Sequence, residues 1–198
     1  MAEVANGVSL PGATERPIIT VEGDRVALGP RRRDLVVLEQ RWLNDPEVTR
    51  TGADDAMRPR TLEEPLGAYD ESVGADDRAV FQIYLRDGWR PIGRTGLYGI
   101  DRQHRTAIFA IMIGEKDCWD HGYGTETTRL MLDYAFNVLG LHNVMLGVYG
   151  FNPRGMRAYE KAGFKLIGRR RQGFRRGGEP HDMVWMDAIA TEFSDGSL

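Results

Sequence analysis

One cysteine, Cys118, stands among 198 residues, so the chain has no internal disulfide, and a cytoplasmic setting is the expectation. No run of about eighteen apolar residues occurs, and no membrane span is expected. Residues 1–17 lack the basic start and apolar core of a secretory signal and read as a loose tail ahead of one domain over 18–198. The histidines, His104, His121, His142 and His181, show no metal-ligand spacing, so no metal is expected. Neither Gly-x-x-x-x-Gly-Lys-Ser/Thr nor a full Gly-x-Gly-x-x-Gly is present, which removes the P-loop and Rossmann readings. There is no repeat and no low-complexity tract. What remains is 41% hydrophobic and 28% charged, the balance of an ordinary globular domain.

The net charge of −3 conceals two opposed regions. Asn44 to Asp77 holds ten acidic residues against three arginines, and Asn152 to Arg176 holds nine basic residues against Glu160 alone. Two solvated faces would account for this. So would a basic side serving phosphates and an acidic side drawing a cationic partner. Arg169-Arg170-Arg171 and Arg175-Arg176 around Phe174 read as a solvated or ligand-facing hairpin turn, and no nucleic-acid partner is expected.

The most informative segment is Trp119-Asp120-His121-Gly122-Tyr123-Gly124-Thr125-Glu126. The apolar run Ala107 to Ile113 ahead of it reads as a buried strand. Behind it, Glu126, Arg129, Asp133 and Asn137 mark the polar stripe of a helix over Thr125 to Leu139, with Gly140 as its stop. A glycine-rich turn from strand to helix aims backbone N–H groups at the positive end of the helix dipole and admits a phosphate or pyrophosphate. Asn143 to Tyr149 is a further strand, followed by a helix that Asn152-Pro153 would cap and Gly163 would end. Elsewhere the pattern predicts strands over Arg25–Leu28, Ala79–Leu85 and Pro91–Ile100, and helices near 34–43 and 62–72. After Gly163 it predicts strands over Phe164–Arg171 and Asp182–Met186, joined by a turn over 173–180. Strands alternating with helices predict a mixed α/β fold in three layers.

The chain resembles the GNAT family of N-acetyltransferases, in the branch of ribosomal-protein N-terminal acetyltransferases (RimJ/RimL-like) and bacterial spermidine acetyltransferases. The resemblance rests on Ile111-Met112-Ile113-Gly114, the Trp119–Glu126 turn, Leu132 to Phe136, Leu141-His142-Asn143-Val144, and Asn152-Pro153 through Tyr159 to Phe164. It is dense from Pro91 to Met186 and thin before that, where Arg41 to Val48 has the family's look.

The resemblance implies a GNAT fold, a mixed central sheet flanked by helices, and acetyl-CoA as cosubstrate. It implies a peptide N-terminus, a polyamine or another small amine as acceptor, and it is compatible with a homodimer. The main chain of Ile111, Met112 and Ile113 would border the pantetheine, one N–H polarising the thioester carbonyl. The N–H groups of Trp119, Asp120, His121, Gly122, Tyr123 and Gly124, with Thr125, would hold the pyrophosphate. Asp120 would turn to solvent, since inward it would repel phosphate, and His121 is either an added charge or a bystander. Asn152 is either a coenzyme contact or an N-cap, and Arg154 is assigned to the coenzyme. Tyr159 is the expected catalytic acid that protonates the departing thiolate. The strand glutamate of many relatives is replaced by Ile108, so a base must come from water or from the segment 44–77. Without efficient catalysis the chain would be a coenzyme A-binding regulator or scaffold. Cys118 is not expected to act as a nucleophile, because no histidine partners it.

Overall fold

The computed structural model describes residues 16–52 and 58–193. Eight strands form one sheet: β1 (Val21–Glu22), β2 (Val26–Pro30), β3 (Arg78–Leu85), β4 (Pro91–Asp101), β5 (Thr106–Ile113), β6 (Asn143–Tyr149), β7 (Lys165–Arg176) and β8 (Glu179–Ile189). Their order is β1-β2-β3-β4-β5-β6-β8-β7, and only β5 and β6 run parallel. Among the described residues the α-helices are α1 (Val36–Leu43), α2 (Pro46–Thr49), α3 (Glu63–Asp70), α4 (Tyr123–Asp133) and α5 (Pro153–Ala162).

In β3 the alternation does the layering. Phe81 and Ile83 enter a core shared with Leu130, Met131 and Leu132 of α4, while Tyr84 enters a second core with Leu35, Leu38 and Trp42 around α1. Successive side chains leave a strand on opposite faces. The sheet therefore lies between two cores, as the three-layer expectation required.

Several expectations are corrected. The 173–180 turn is much tighter: β7 and β8 run on to a turn at Gly177-Gly178, whose φ values of 56° and 87° suit a short hairpin. Gly173 instead sits where the β7–β8 register shifts, between Arg170 and Phe174. The helix expected to reach Leu139 leaves α geometry for a π-turn over Tyr134–Val138. The run 107–113 is not uniformly buried, since Ile108 is 46% exposed beyond the reach of α1. Helix α2 is an unforeseen element, started by the Asp45 carboxylate accepting from Glu47 N–H at 2.9 Å with Pro46 in its first turn. The expected tail is outside the described residues up to residue 15, and Arg16 is anchored by Glu22 at 2.8 Å.

Candidate active site

The parallel pair β5–β6 is in register only at Thr106–Asn143, Ala107–Val144 and Ile108–Met145. Beyond Ile108, β5 stays paired to β4 as far as Ile113, and β6 stays paired to β8 as far as Tyr149. The sheet thus splits between two well-held strands. Alternate main-chain groups of Phe109 to Ile113 face the split instead of a neighbouring strand. Here a cleft of about 620 Å³ opens, lined by Ile111, Met112 and Ile113 on one side and by the turn and α5 on the other.

The turn is shaped by two left-handed residues, Asp120 with φ 62° and Gly122 with φ 83°. Gly122 is the residue before α4, and the N–H groups of Tyr123, Gly124 and Thr125 in the first helical turn have no intrahelical acceptor. All three residues line the cleft, and open N–H groups at a helix start are a general anion-binding feature. Trp119 does not donate there: its N–H is spent on the Lys116 carbonyl at 3.1 Å, which corrects its expected role. Its indole forms a wall instead, with Nε1 donating to the Ile113 carbonyl at 2.9 Å and the Arg154 guanidinium 4.1 Å above the ring. The Asp120 side chain is 75% exposed and 3.8 Å from Arg154. His121 is exposed, its Nδ1 2.6 Å from the Trp119 carbonyl oxygen and its ring stacked on Tyr123.

Two residues that sequence reasoning passed over lock this turn. The Glu126 carboxylate accepts from Arg25 N–H at 2.7 Å, Val26 N–H at 3.1 Å and Arg25 Nε at 2.9 Å. Arg25 Nη1 then donates to the His121 carbonyl at 2.9 Å. The start of β2 is thereby tied to α4, a contact across about a hundred residues that no local pattern signals.

Helix α5 forms the facing wall. Asn152 Oδ1 accepts from Gly155 N–H at 2.9 Å, so the N-cap role is real, and Asn152 also lines the cleft. A Cβ on Gly155 would sit 2.6 Å from Asn152 Nδ2, so a side chain there would displace the cap. Arg154, Arg157 and Lys161 all line the cleft, and their spacing puts them on one face of α5. That stripe was readable from the sequence. By contrast, Arg169 to Arg171, Arg175 and Arg176 are outside the lining; Arg176 donates to the Arg50 carbonyl, and Arg175 to Gly178 at 2.8 Å. Tyr159 leans into the cleft with its ring edge-on to Phe109 at 6.2 Å and to Phe164 at 6.0 Å. Burial pushes its pKa up to about 12, so the phenol keeps its proton across the working range.

The far end of the cleft is lined by Leu43, Val48, Thr49, Arg94, Tyr98 and Ala110. Among the described lining residues the sole carboxylate is Asp120, back at the turn. Five carboxylates of the acidic segment are engaged in ion pairs outside the cleft. Asp45 and Glu47 both hold Lys116, Glu64 holds Arg58 and Arg60, Asp70 holds Arg33, and Asp77 holds Arg78. The Lys116 ammonium keeps the Asp45 carboxyl below its ordinary range. Asp54 and Asp55 are outside the described residues. Cys118 is buried, its Sγ 3.1 Å from Arg90 Nη2, and desolvation raises its pKa, so the thiol is held unreactive. No described helix is long and apolar enough to cross a membrane, and the described residues hold no cluster of three or more His, Cys, Asp or Glu suited to a metal.

The split parallel pair, the turn before α4 and Tyr159 thus meet in one cleft. The chain matches the model of the acetyltransferase (GNAT) domain over residues 25–165, and it belongs to that family. It is 33% identical over 135 residues to the Probable N-acetyltransferase YjcK of Bacillus subtilis, covering 68% of this chain and 72% of that one. To the spermidine N(1)-acetyltransferase of Vibrio cholerae it is 28% identical over 142 residues, 69% of this chain and 82% of the other. The fold agrees with the crystal structure of the Vibrio cholerae spermidine N-acetyltransferase in complex with CoA and spermine. That likeness has a TM-score of 0.77 at 22% identity and covers 85% of this chain and 97% of that one. The protein is thus an enzyme of the N-acetyltransferase class.

Proposed function

We propose that residues 18–198 act as one domain that transfers the acetyl group of acetyl-CoA directly to a primary amine. The observation that carries this reading is the split beyond Ile108, with the turn at one end and Tyr159 on its wall. Acetyl-CoA would lay its pantetheine along Ile111 to Ile113 and its pyrophosphate on the N–H groups of Asp120 to Thr125. Arg154, Arg157 and Lys161 would balance the phosphate charge. The amine attacks the thioester carbon, the carbonyl oxygen takes up charge beside a main-chain N–H of β5, and the C–S bond breaks. The attacking nitrogen sheds its extra proton to water, and Tyr159 protonates the thiolate and is reprotonated from water, giving free CoA and an amide.

Among the described residues no carboxylate lines the acceptor end of the cleft, and an amine already partly neutral has less need of one. A peptide α-amino group, with a pKa near ~8, fits that condition better than an alkyl amine near ~10. The polyamine acetylated by the Vibrio relative is the other reading, and that homology supports it. A cytoplasmic homodimer goes with either. Release of free thiol from acetyl-CoA across a panel of peptides, amino acids and polyamines tests the proposal. Coenzyme binding without thiol release on any amine would instead favour a coenzyme A-binding regulator.

A further inference from the structure

The cation at the acceptor end of the cleft has no role in the chemistry above. Arg94 lies on β4 opposite Met112 of β5, and Met112 is one of the residues assigned to the thioester. Neighbouring strands are ~4.8 Å apart, so Arg94 stands one strand away from where the amine must attack. Cross-strand partners share a face of the sheet, so Arg94 and Met112 project the same way, toward the α1 side. The Arg94 side chain is 28% exposed, and it lines the cleft with Tyr98, Thr49 and Ala110. The ring of Tyr98 lies over Gly96, where a Cβ would meet it at 3.1 Å.

Among the described residues the charge of Arg94 is only partly answered. Its one ion-pair partner among them is Glu39, at 3.6 Å from Nη1, a distance too long for a hydrogen bond. The Glu39 carboxylate is buried and already taken by Arg31, which donates to it at 2.9, 2.9 and 3.2 Å. Two guanidiniums share one carboxylate, and the surplus positive charge is the one facing the cleft. Among the described lining residues no carboxylate at this end offsets it. A polyamine would bring more positive charge to a site that already has an excess. A guanidinium with no hydrogen bond to a described residue is able to receive a carboxylate.

We infer that Arg94 is a specificity residue, and that the acceptor is an α-amine bearing a carboxylate within a few bonds. Such an acceptor is either a free amino acid or a peptide whose second residue is Asp or Glu. The inference rests on the acetyl-transfer reading and narrows its acceptor.

The test compares acid with amide at fixed shape. Thiol release is measured with amino acids against their C-terminal amides, with peptides carrying Asp or Glu against Asn or Gln at position two, and with spermidine. The wild type is expected to prefer the acid of one series by about 10- to 100-fold in kcat/KM, the range of a charged hydrogen bond. The series that shows the preference identifies the source. Arg94→Met should abolish that preference and Arg94→Lys should keep part of it, with the thermal shift given by acetyl-CoA unchanged in both. Equal rates for acid and amide, spermidine as the best acceptor, or an intact preference in Arg94→Met would each overturn the inference while leaving acetyl transfer standing. A lost coenzyme shift in Arg94→Met would also overturn it, by moving Arg94 to the coenzyme. No thiol release from any amine would bring down the acetyl-transfer reading and this inference with it.

Discussion

Gly124 separates binding from folding more cleanly than any other position in the cleft. It is the second residue of α4, it lines the cleft, and a Cβ built on it would have no atom within 4 Å. Gly124→Ala therefore folds without a clash. Losing glycine's unfolded-state freedom stabilises a compatible site by about 0.4–1 kcal/mol, or roughly 1–4 °C for a domain of this size. The new methyl group, however, stands where a pyrophosphate has to approach the helix N-terminus. At ~100 times the dissociation constant, acetyl-CoA stabilises the wild type by ~2.7 kcal/mol. If the methyl weakens binding ~100-fold, the same concentration gives only ~0.4 kcal/mol. Gly124→Glu adds a charge worth roughly 1–4 kcal/mol of repulsion against a phosphate at ~4 Å and should erase the shift. Gly122 is a poorer probe, because its φ of 83° strains any side chain and its Cβ would be 3.2 Å from Arg25. Thermal melts with and without acetyl-CoA read both quantities at once. A Gly124→Glu protein that melts normally and keeps the full coenzyme shift would show that the pyrophosphate site is misplaced.

Tyr159→Phe keeps the ring contacts and removes the acid, so turnover should drop roughly 10- to 1000-fold with the coenzyme shift unchanged; full activity would return Tyr159 to the core. Because burial raises that pKa to about 12, the neutral acid form persists throughout ordinary assays. The rate of the wild type should therefore rise with pH as the acceptor amine loses its proton, and a falling limb centred below pH ~10 would contradict the environment described for Tyr159. Glu126→Ala strips the acceptor from two main-chain N–H groups at the start of β2, costing about 1–3 kcal/mol and lowering the melting temperature by roughly 2–10 °C. Its coenzyme affinity should fall as well, since Arg25 no longer steadies the turn; an unaltered melt would mean that the link is ornamental. Cys118→Ala should retain activity, and a loss of turnover in a normally melting protein would reopen the nucleophile question.

Much of the fold was readable wherever local chemistry and tertiary packing agreed. Asn152-Pro153 and Gly163 mark the ends of α5 because cap geometry depends on the residues themselves. The Gly122 turn was readable because a left-handed residue before a helix selects glycine. Local reasoning was weaker where two hairpin positions competed. Gly173 and Gly177-Gly178 both invite a turn, and the pairing of β7 with β8 over their whole length decides for the latter. Burial of Ile108 was misread for a similar reason. An apolar run carries no sign of where the covering helices stop, and α1 leaves that end of the face open.

The site was legible in its main chain and obscure in its charges. The strand that carries Ile111 to Ile113 and the turn and helix start at Gly122 to Thr125 are local information, while their coenzyme roles come from the family resemblance. Charge balance is not local. Ten acidic residues between Asn44 and Asp77 suggested an attractive field for a cation, yet Asp45, Glu47, Glu64, Asp70 and Asp77 are each spent on a lysine or arginine nearby. Opposite charges at ~3 Å cancel within a Debye length, so a count along the chain overstates the field at a cleft. A single arginine passed over in that count, Arg94, is different. Its neighbour Glu39 is already committed to Arg31, and low exposure protects what is left of the charge from screening by solvent. One partly compensated cation in the cleft can outweigh several paired carboxylates on the rim, because Coulomb energy depends on distance and dielectric rather than on number. The Arg31–Glu39–Arg94 arrangement therefore carries the inferred preference for a carboxylate, whereas the acidic count along the chain favours a cation, and the acid-against-amide comparison decides between them.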